Sequence, residues 1–185
     1  MGLGNSKNQI EFAGKIYTVE RLVGRGAFGK VYVVATKDGE LVALKQLSKA
    51  ALLSKKAVQG TLREREFLAE LEHGFLVNLR GAFQNSTHLL MLLDFMKGGD
   101  LTYHLDRRPG QSLPEDHVKF YIANICLCLE YVHSQRIVHR DLKPDNVLLN
   151  AKGYALLTDF NVARRLENDD KIAGYAGTFA YMAPE

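Results

Sequence analysis

The sequence predicts an α+β chain in two lobes, a small antiparallel-sheet lobe with one main helix followed by a mainly helical lobe. Three observations carry this expectation. Up to Asp94 apolar residues recur in short runs broken by glycines, a 3.6-residue period governs the stretch after Pro114, and the change of pattern falls on Lys97-Gly98-Gly99.

Taken in order, residues 1–14 are polar and glycine-containing, with only Leu3, Ile10 and Phe12 as larger apolar side chains. They read as an N-terminal arm that extends to residue 16. From Tyr17 to Val34 the runs are strand-like and interrupted by Gly24, Gly26 and Gly29. Asp38-Gly39 marks a turn into a strand at Leu41–Leu47. Residues 48–72, rich in Ala, Leu, Lys and Glu, read as one helix despite Gly60. Strands at Val77–Phe83 and His88–Asp94 complete a first lobe assigned to residues 17–96, with a hinge near 94–99.

The second lobe, residues 97–185, opens with a helix over 100–106 and continues with a long one from Pro114 to Ser134. Val118, Ile122, Ile125, Leu129 and Val132 share one face of that helix and are predicted to be buried. Pro114 suits the first turn, and Glu115 and Asp116 complement the positive end of the helix dipole. Short strands at Val147–Leu149 and Ala155–Leu157 follow, joined by a turn at Gly153. There is no internal repeat and no low-complexity tract.

The 185 residues are 46% apolar and 24% charged, which excludes a disordered or fibrous chain. A net charge of +3 is too small to argue for nucleic acid, and no nucleic-acid partner is expected. No apolar run approaches the ~18 residues of a membrane span, and the N-terminus lacks the apolar core of a secretory signal, so a cytoplasmic protein is expected. Cys126 and Cys128 sit roughly 200° apart on a helix, too divergent to share a metal easily, and read as buried thiols.

The chemistry begins at Gly24-Arg25-Gly26-Ala27-Phe28-Gly29, a G-x-G-x-x-G string shared by dinucleotide-binding folds and by loops that cover phosphates. A dinucleotide fold needs a helix opening at the third glycine. Lys30-Val31-Tyr32-Val33-Val34 is strand-like instead, which all but excludes a nicotinamide-dependent oxidoreductase. Val42-Ala43-Leu44-Lys45 then sets a lysine in an apolar strand, where an ammonium needs a carboxylate or a phosphate. Glu64 is the best protein partner, with Glu66 and Glu70 as competitors.

The most specific string is His139-Arg140-Asp141-Leu142-Lys143-Pro144-Asp145-Asn146, which fits H-R-D-L-x-x-x-N in full and precedes Asp159-Phe160-Asn161 and Ala183-Pro184-Glu185 in the required order. With these motifs residues 17–185 resemble a eukaryotic protein kinase. Lys143 and Gly177-Thr178 resemble the serine/threonine type. Asp159-Phe160-Asn161-Val162-Ala163, His73-Gly74-Phe75-Leu76-Val77-Asn78-Leu79 and Gly98-Gly99-Asp100-Leu101-Thr102-Tyr103-His104-Leu105 resemble most narrowly the YANK family among AGC-like kinases.

The resemblance implies a protein-kinase-like two-lobe fold, a full small lobe and an incomplete large lobe, and ATP-dependent transfer of the γ-phosphate to Ser/Thr hydroxyls of protein substrates. It implies Lys45, held by Glu64, on the α/β-phosphates, and Asn146 and Asp159 on Mg²⁺, with Mn²⁺ as a substitute. Asp141 is implied to orient the attacking hydroxyl and Lys143 to neutralise the transferred phosphoryl. Nucleotide contacts are implied for Val23, Gly24, Arg25, Gly26, Ala27, Phe28, Gly29, Lys30, Val31, Ala43, Asp94, Met96, Asp100 and Leu148.

A complete kinase continues past Ala183-Pro184-Glu185 with helices that pair with Glu185 and anchor apolar stacks, one with Leu68, Leu79, His139 and Phe160, the other with Val31, Ala43, Leu101 and Leu148. Without them the helix after Pro114 is expected to expose apolar surface, and peptide docking falls to Asp100 and the segment around Thr178. Two other readings therefore stay open, a catalytically silent nucleotide-binding regulatory fragment and a truncated gene product.

Three departures matter. Asn161 replaces the glycine of Asp-Phe-Gly, and Asn tolerates positive φ well enough to restrict Phe160 without abolishing metal binding. Between Asp159 and Thr178 the only side-chain hydroxyl is Tyr175, so a carboxylate of Glu167, Asp169 or Asp170 is expected to replace an activating phosphate opposite Arg140. Met1-Gly2-Leu3-Gly4-Asn5-Ser6 fits M-G-x-x-x-[ST], which makes Gly2 a candidate myristoylation site and implies reversible, peripheral membrane association.

Overall fold

A computed structural model of the chain describes residues 8–167 and 174–184. Gly2, Asp169, Asp170 and Glu185 lie outside the described residues. Packing divides the chain into two units, residues up to Arg65 with Asn78–Phe95, and Glu66–Val77 with Met96 onward.

Among the described residues the first unit holds an antiparallel sheet of six strands. β1 (Gln9–Phe12), β2 (Lys15–Arg25), β3 (Gly29–Thr36) and β4 (Leu41–Ser48) are followed by helices α1 (Lys49–Ser54) and α2 (Val58–Glu70), then β5 (Leu79–Gln84) and β6 (His88–Asp94). The spatial order is β1-β2-β3-β4-β6-β5. The sheet curls until its edges meet: the Phe12 ring of β1 stacks on Phe83 of β5 with centroids 4.7 Å apart. Tyr17, Val34, Val42, Leu44, Leu90 and Leu92 form the core of one face, with Ile10, Phe12, Val19, Tyr32 and Phe83 packed against it.

β1 corrects the reading of residues 1–14 as an arm. Ile10 and Phe12 are spaced two apart, the period of a strand with one buried face, and a two-residue turn at Ala13-Gly14, both at positive φ, folds them onto β2. The helix predicted over 48–72 is two. The Ser48 hydroxyl caps α1 by accepting from Ala51 N–H, Lys56 turns left-handed at φ 54°, and Ala57 N–H bonds Leu52 O at 2.9 Å, closing α1 before α2 begins. Ala, Leu, Lys and Glu favour helix throughout this stretch, so composition carried no sign of the break.

The second unit takes in residues 66–77, which the sequence assigned to the first lobe. Val77 N–H donates to Leu157 O and Leu157 N–H to Phe75 O, and His73 stacks on Tyr131. β7 (Gly99–Asp100), α3 (Leu101–Asp106), α4 (Glu115–Ser134), β8 (Ile137–Val138), β9 (Val147–Leu149), β10 (Ala155–Leu157) and β11 (Arg164–Arg165) follow, with β7, β9 and β10 in one small sheet and β8 pairing β11.

α4 buries Asn124, Ile125, Cys128 and Val132, and the Asn124 amide oxygen accepts from Ala155 N–H at 3.0 Å. The predicted buried face is only half right. Val118 and Ile122 are exposed, as are Phe120 and Leu127, because α4 packs on β8 and β10 and its buried residues run from Asn124 to Val132. The exposed apolar surface expected of this helix is therefore present. The two thiols also differ from expectation: Cys126 is exposed, and only Cys128 is buried, its pKa pushed up to about 12 by desolvation. Among the described residues no helix is long and apolar enough to cross a membrane.

Candidate active site

In the first unit the G-x-G-x-x-G string spans the end of β2, a three-residue connection and the start of β3, as expected of a loop between strands. Gly26 N–H bonds Gly29 O at 2.9 Å, and Ser48 N–H bonds Phe28 O at 2.9 Å. None of the three glycines adopts positive φ, and only at Gly29 does crowding require one. A Cβ on Gly29 would lie 1.8 Å from Gln46 O.

The β3–β4–β6 register sets Val31 opposite Lys45, and Lys45 opposite Met91, with Val33, Ala43 and Leu93 next along the same face. Val31, Ala43 and Lys45, all expected to contact nucleotide, thus share one face. Lys45 Nζ donates to Glu64 Oε1 of α2 at 2.6 Å. Glu64 is buried, Glu66 is exposed, and Glu70 is taken by Arg165, which resolves the choice among the three glutamates. Asp94 uses its carboxylate inside this unit: Oδ1 accepts from Arg80, and Oδ2 from Asn78 N–H and Nδ2–H.

In the second unit the segment between β8 and β9 is held on a buried histidine. His139 faces Thr158 O through Nε2 at 2.9 Å, and its Nδ1 faces Asp141 N–H at 3.3 Å. A carbonyl only accepts and an amide only donates, so the ring is neutral with its proton on Nε2. Burial pushes the His139 pKa below its ordinary value. The ring packs edge-on against Phe160 at 4.8 Å.

Asp141, Lys143, Asn146 and Thr178 converge. Thr178 Oγ1 donates to Asp141 Oδ1 at 2.8 Å and accepts from Lys143 Nζ at 2.8 Å, and Lys143 Nζ lies 3.0 Å from Asp141 Oδ2. Asn146 Nδ2 donates to Asp141 O at 2.8 Å and to Asp141 Oδ2 at 3.1 Å. Burial pushes the Asp141 carboxyl up, but the bonds from Lys143 and Thr178 outweigh it and hold the pKa below the ordinary carboxylate value. The same bond, which Lys143 donates to Asp141, raises the Lys143 pKa. Asp141 is thus an anion whose lone pairs are aimed by three neighbours.

Thr178 is a site residue that the sequence reading missed, having tied that segment to peptide docking alone. The Gly177-Thr178 pair was the available signal. Gly177 sits at φ 111°, and a Cβ there would lie 2.3 Å from Arg140 O, so only glycine lets Thr178 approach Asp141.

The donor set fits Mg²⁺. Both amide protons of Asn146 are committed to Asp141, which leaves its amide oxygen as the ligand atom, and Asp159 adds a carboxylate. Thr158 N–H bonds Asn146 O at 3.0 Å and so brings Asp159 beside Asn146. Two hard oxygen ligands suit a cation that completes its shell with water and phosphate. Positive φ falls on Asp159, at 67°, and not on Asn161, which removes the conformational reason offered for the asparagine.

Met96 O accepts from Gly99 N–H, Asp100 caps α3 through Tyr103 N–H at 2.7 Å, and Leu148 pairs with Asp100 and Leu156. The Arg140 guanidinium donates from Nε and Nη2 to Val162 O, and Glu167 is exposed. Among the described residues no cluster of His, Cys, Asp and Glu could hold a metal by itself.

Comparison with known proteins agrees with this geometry. The family model described as protein kinase domain matches residues 17–185. A probable serine/threonine-protein kinase of Dictyostelium discoideum is 44% identical over 171 residues, which cover 91% of this chain and 37% of that protein. Serine/threonine-protein kinase 32C of Mus musculus, a YANK kinase, is 44% identical over 170 residues, 91% of this chain and 34% of the relative. Ribosomal protein S6 kinase alpha-2 of Homo sapiens is 39% identical over 170 residues, 89% of this chain and 23% of the relative. The chain spans about a third of the length of the first of these relatives.

Proposed function

The chain belongs to the protein kinase domain family, and from that premise we propose that it binds ATP with Mg²⁺ and transfers the γ-phosphoryl group to serine or threonine hydroxyls of proteins. The observation that carries this reading is the Asp141–Thr178–Lys143 arrangement, with Asn146 bound to Asp141.

Phosphoryl transfer asks a protein mainly for positioning and for charge placed where charge develops. Lys45, braced by Glu64, would hold the α- and β-phosphates, with the backbone of Gly24–Gly29 over them. Asn146 and Asp159 would hold Mg²⁺, which when bound neutralises phosphate oxygens. Asp141 would accept a hydrogen bond from the incoming hydroxyl and aim its oxygen at the γ-phosphorus, taking the proton as the new P–O bond forms and the bond to the β-phosphate oxygen breaks. Its depressed pKa suits orientation before the proton moves. Lys143 would meet charge on the transferred group.

A second part of the proposal concerns the N-terminus: Gly2 is acylated with myristate, giving a cytoplasmic protein reversible contact with membranes. Incorporation of a myristate analogue, lost in Gly2→Ala, checks it. The transfer reading is tested with γ-labelled ATP, Mg²⁺ and degenerate peptide pools holding Ser, Thr or Tyr. Label should enter the Ser and Thr pools and vanish in Asp141→Asn. Label only in the Tyr pool, or label indifferent to Asp141→Asn, overturns it.

A further inference from the structure

We propose that Lys55, outside the motifs, is a positioning residue that anchors the tip of the Gly24–Gly29 loop for the phosphates of a nucleotide. This rests on the nucleotide reading above. Lys55 is the residue at which α1 ends. A lysine there ordinarily stays near the last carbonyls of its own helix. Its Nζ instead donates to Ala27 O at 3.1 Å and stands 5.6 Å from the centre of the Phe28 ring. One ammonium thus holds both residues at the loop tip, through a charge-assisted hydrogen bond and a cation–π contact.

The consequence follows from peptide geometry. The C=O and N–H of a trans peptide point in opposite directions, so a hold on Ala27 O fixes the direction of Phe28 N–H. Ser48 N–H does the same for the next peptide by binding Phe28 O. Two successive peptide planes are set, one by the backbone of β4 and one by the Lys55 side chain. Donors fixed before the ligand arrives bind phosphate without an ordering cost, whereas a glycine-rich tip left loose must be ordered by the ligand. The Gly26–Gly29 bond sets the width of the turn but not the orientation of the Ala27–Phe28 peptide.

The test compares Lys55→Ala and Lys55→Arg with the unsubstituted chain, using calorimetric affinities for Mg·ATP and for adenosine and amide hydrogen exchange over residues 26–29. Lys55→Ala should weaken Mg·ATP roughly three- to tenfold and leave adenosine unchanged, because adenosine has no phosphates for the loop to meet. Exchange at 26–29 should quicken while β4 stays protected, and Lys55→Arg should restore both. Equal losses for Mg·ATP and adenosine would mean a merely structural role and would overturn the proposal, as would unchanged exchange at 26–29. If the unsubstituted chain bound neither ligand, the nucleotide reading would fall, and the exchange measurement would still decide whether Lys55 anchors the loop.

Discussion

Lys45 Nζ lies 2.6 Å from Glu64 Oε1, joining the middle of a sheet strand to a helix glutamate that is 1% exposed. A carboxylate this deep is stabilised by its cation, and losing either partner removes their attraction. Glu64→Gln should therefore destabilise the chain by about 3 kcal/mol, read as a fall in the urea midpoint with an unchanged slope.

Thr178 should act through its hydroxyl and not its bulk. In Thr178→Ala the Asp141 carboxylate loses one of the bonds that lower its pKa, so that pKa should rise, while Thr178→Ser should keep it low. Carbon-detected titration of Asp141 reads this directly. Phosphoryl transfer to a Ser peptide should fall roughly tenfold in the alanine variant and little in the serine one.

His139 makes folding sensitive to acid. Burial lowers its folded pKa below the ordinary 6.5, so the unfolded chain takes up the proton first as pH falls. The His139 contribution is complete above that value and is lost as pH drops through it. The urea midpoint should be lower at pH 5.5 than at pH 7.5, and His139→Asn should flatten that difference.

Gly29 and Gly26 should respond oppositely to alanine. A Cβ at Gly29 meets Gln46 O at 1.8 Å, and at Gly26 it meets nothing within 4 Å. Gly29→Ala should cost more than about 2 kcal/mol of stability or displace β3 from β4, and Gly26→Ala should leave the melting temperature nearly unchanged.

Much of this site could be read in the sequence because its motifs specify chemistry at short range. Lys45 in an apolar strand demanded a carboxylate, and Asp141, Lys143 and Asn146 fall within six residues of one another. What escaped depended on long-range packing. Phe12 finds Phe83 at the far edge of a curled sheet, Thr178 reaches Asp141 from far along the chain, and Lys56 breaks a helix inside a stretch of uniform helix propensity. The buried face of α4 was misread at Val118 and Ile122 because periodicity reports which side chains share a face, not how far along the helix a neighbour covers it.

That these residues hold Mg·ATP is tested by the melting temperature with ATP, with and without Mg²⁺, in the unsubstituted chain, Lys45→Met and Asp159→Asn. The melting temperature should rise with ATP and further with Mg²⁺, rise much less in Lys45→Met, and rise equally with and without Mg²⁺ in Asp159→Asn. No rise with Mg·ATP, or the same Mg²⁺-enhanced rise in all three proteins, would contradict it.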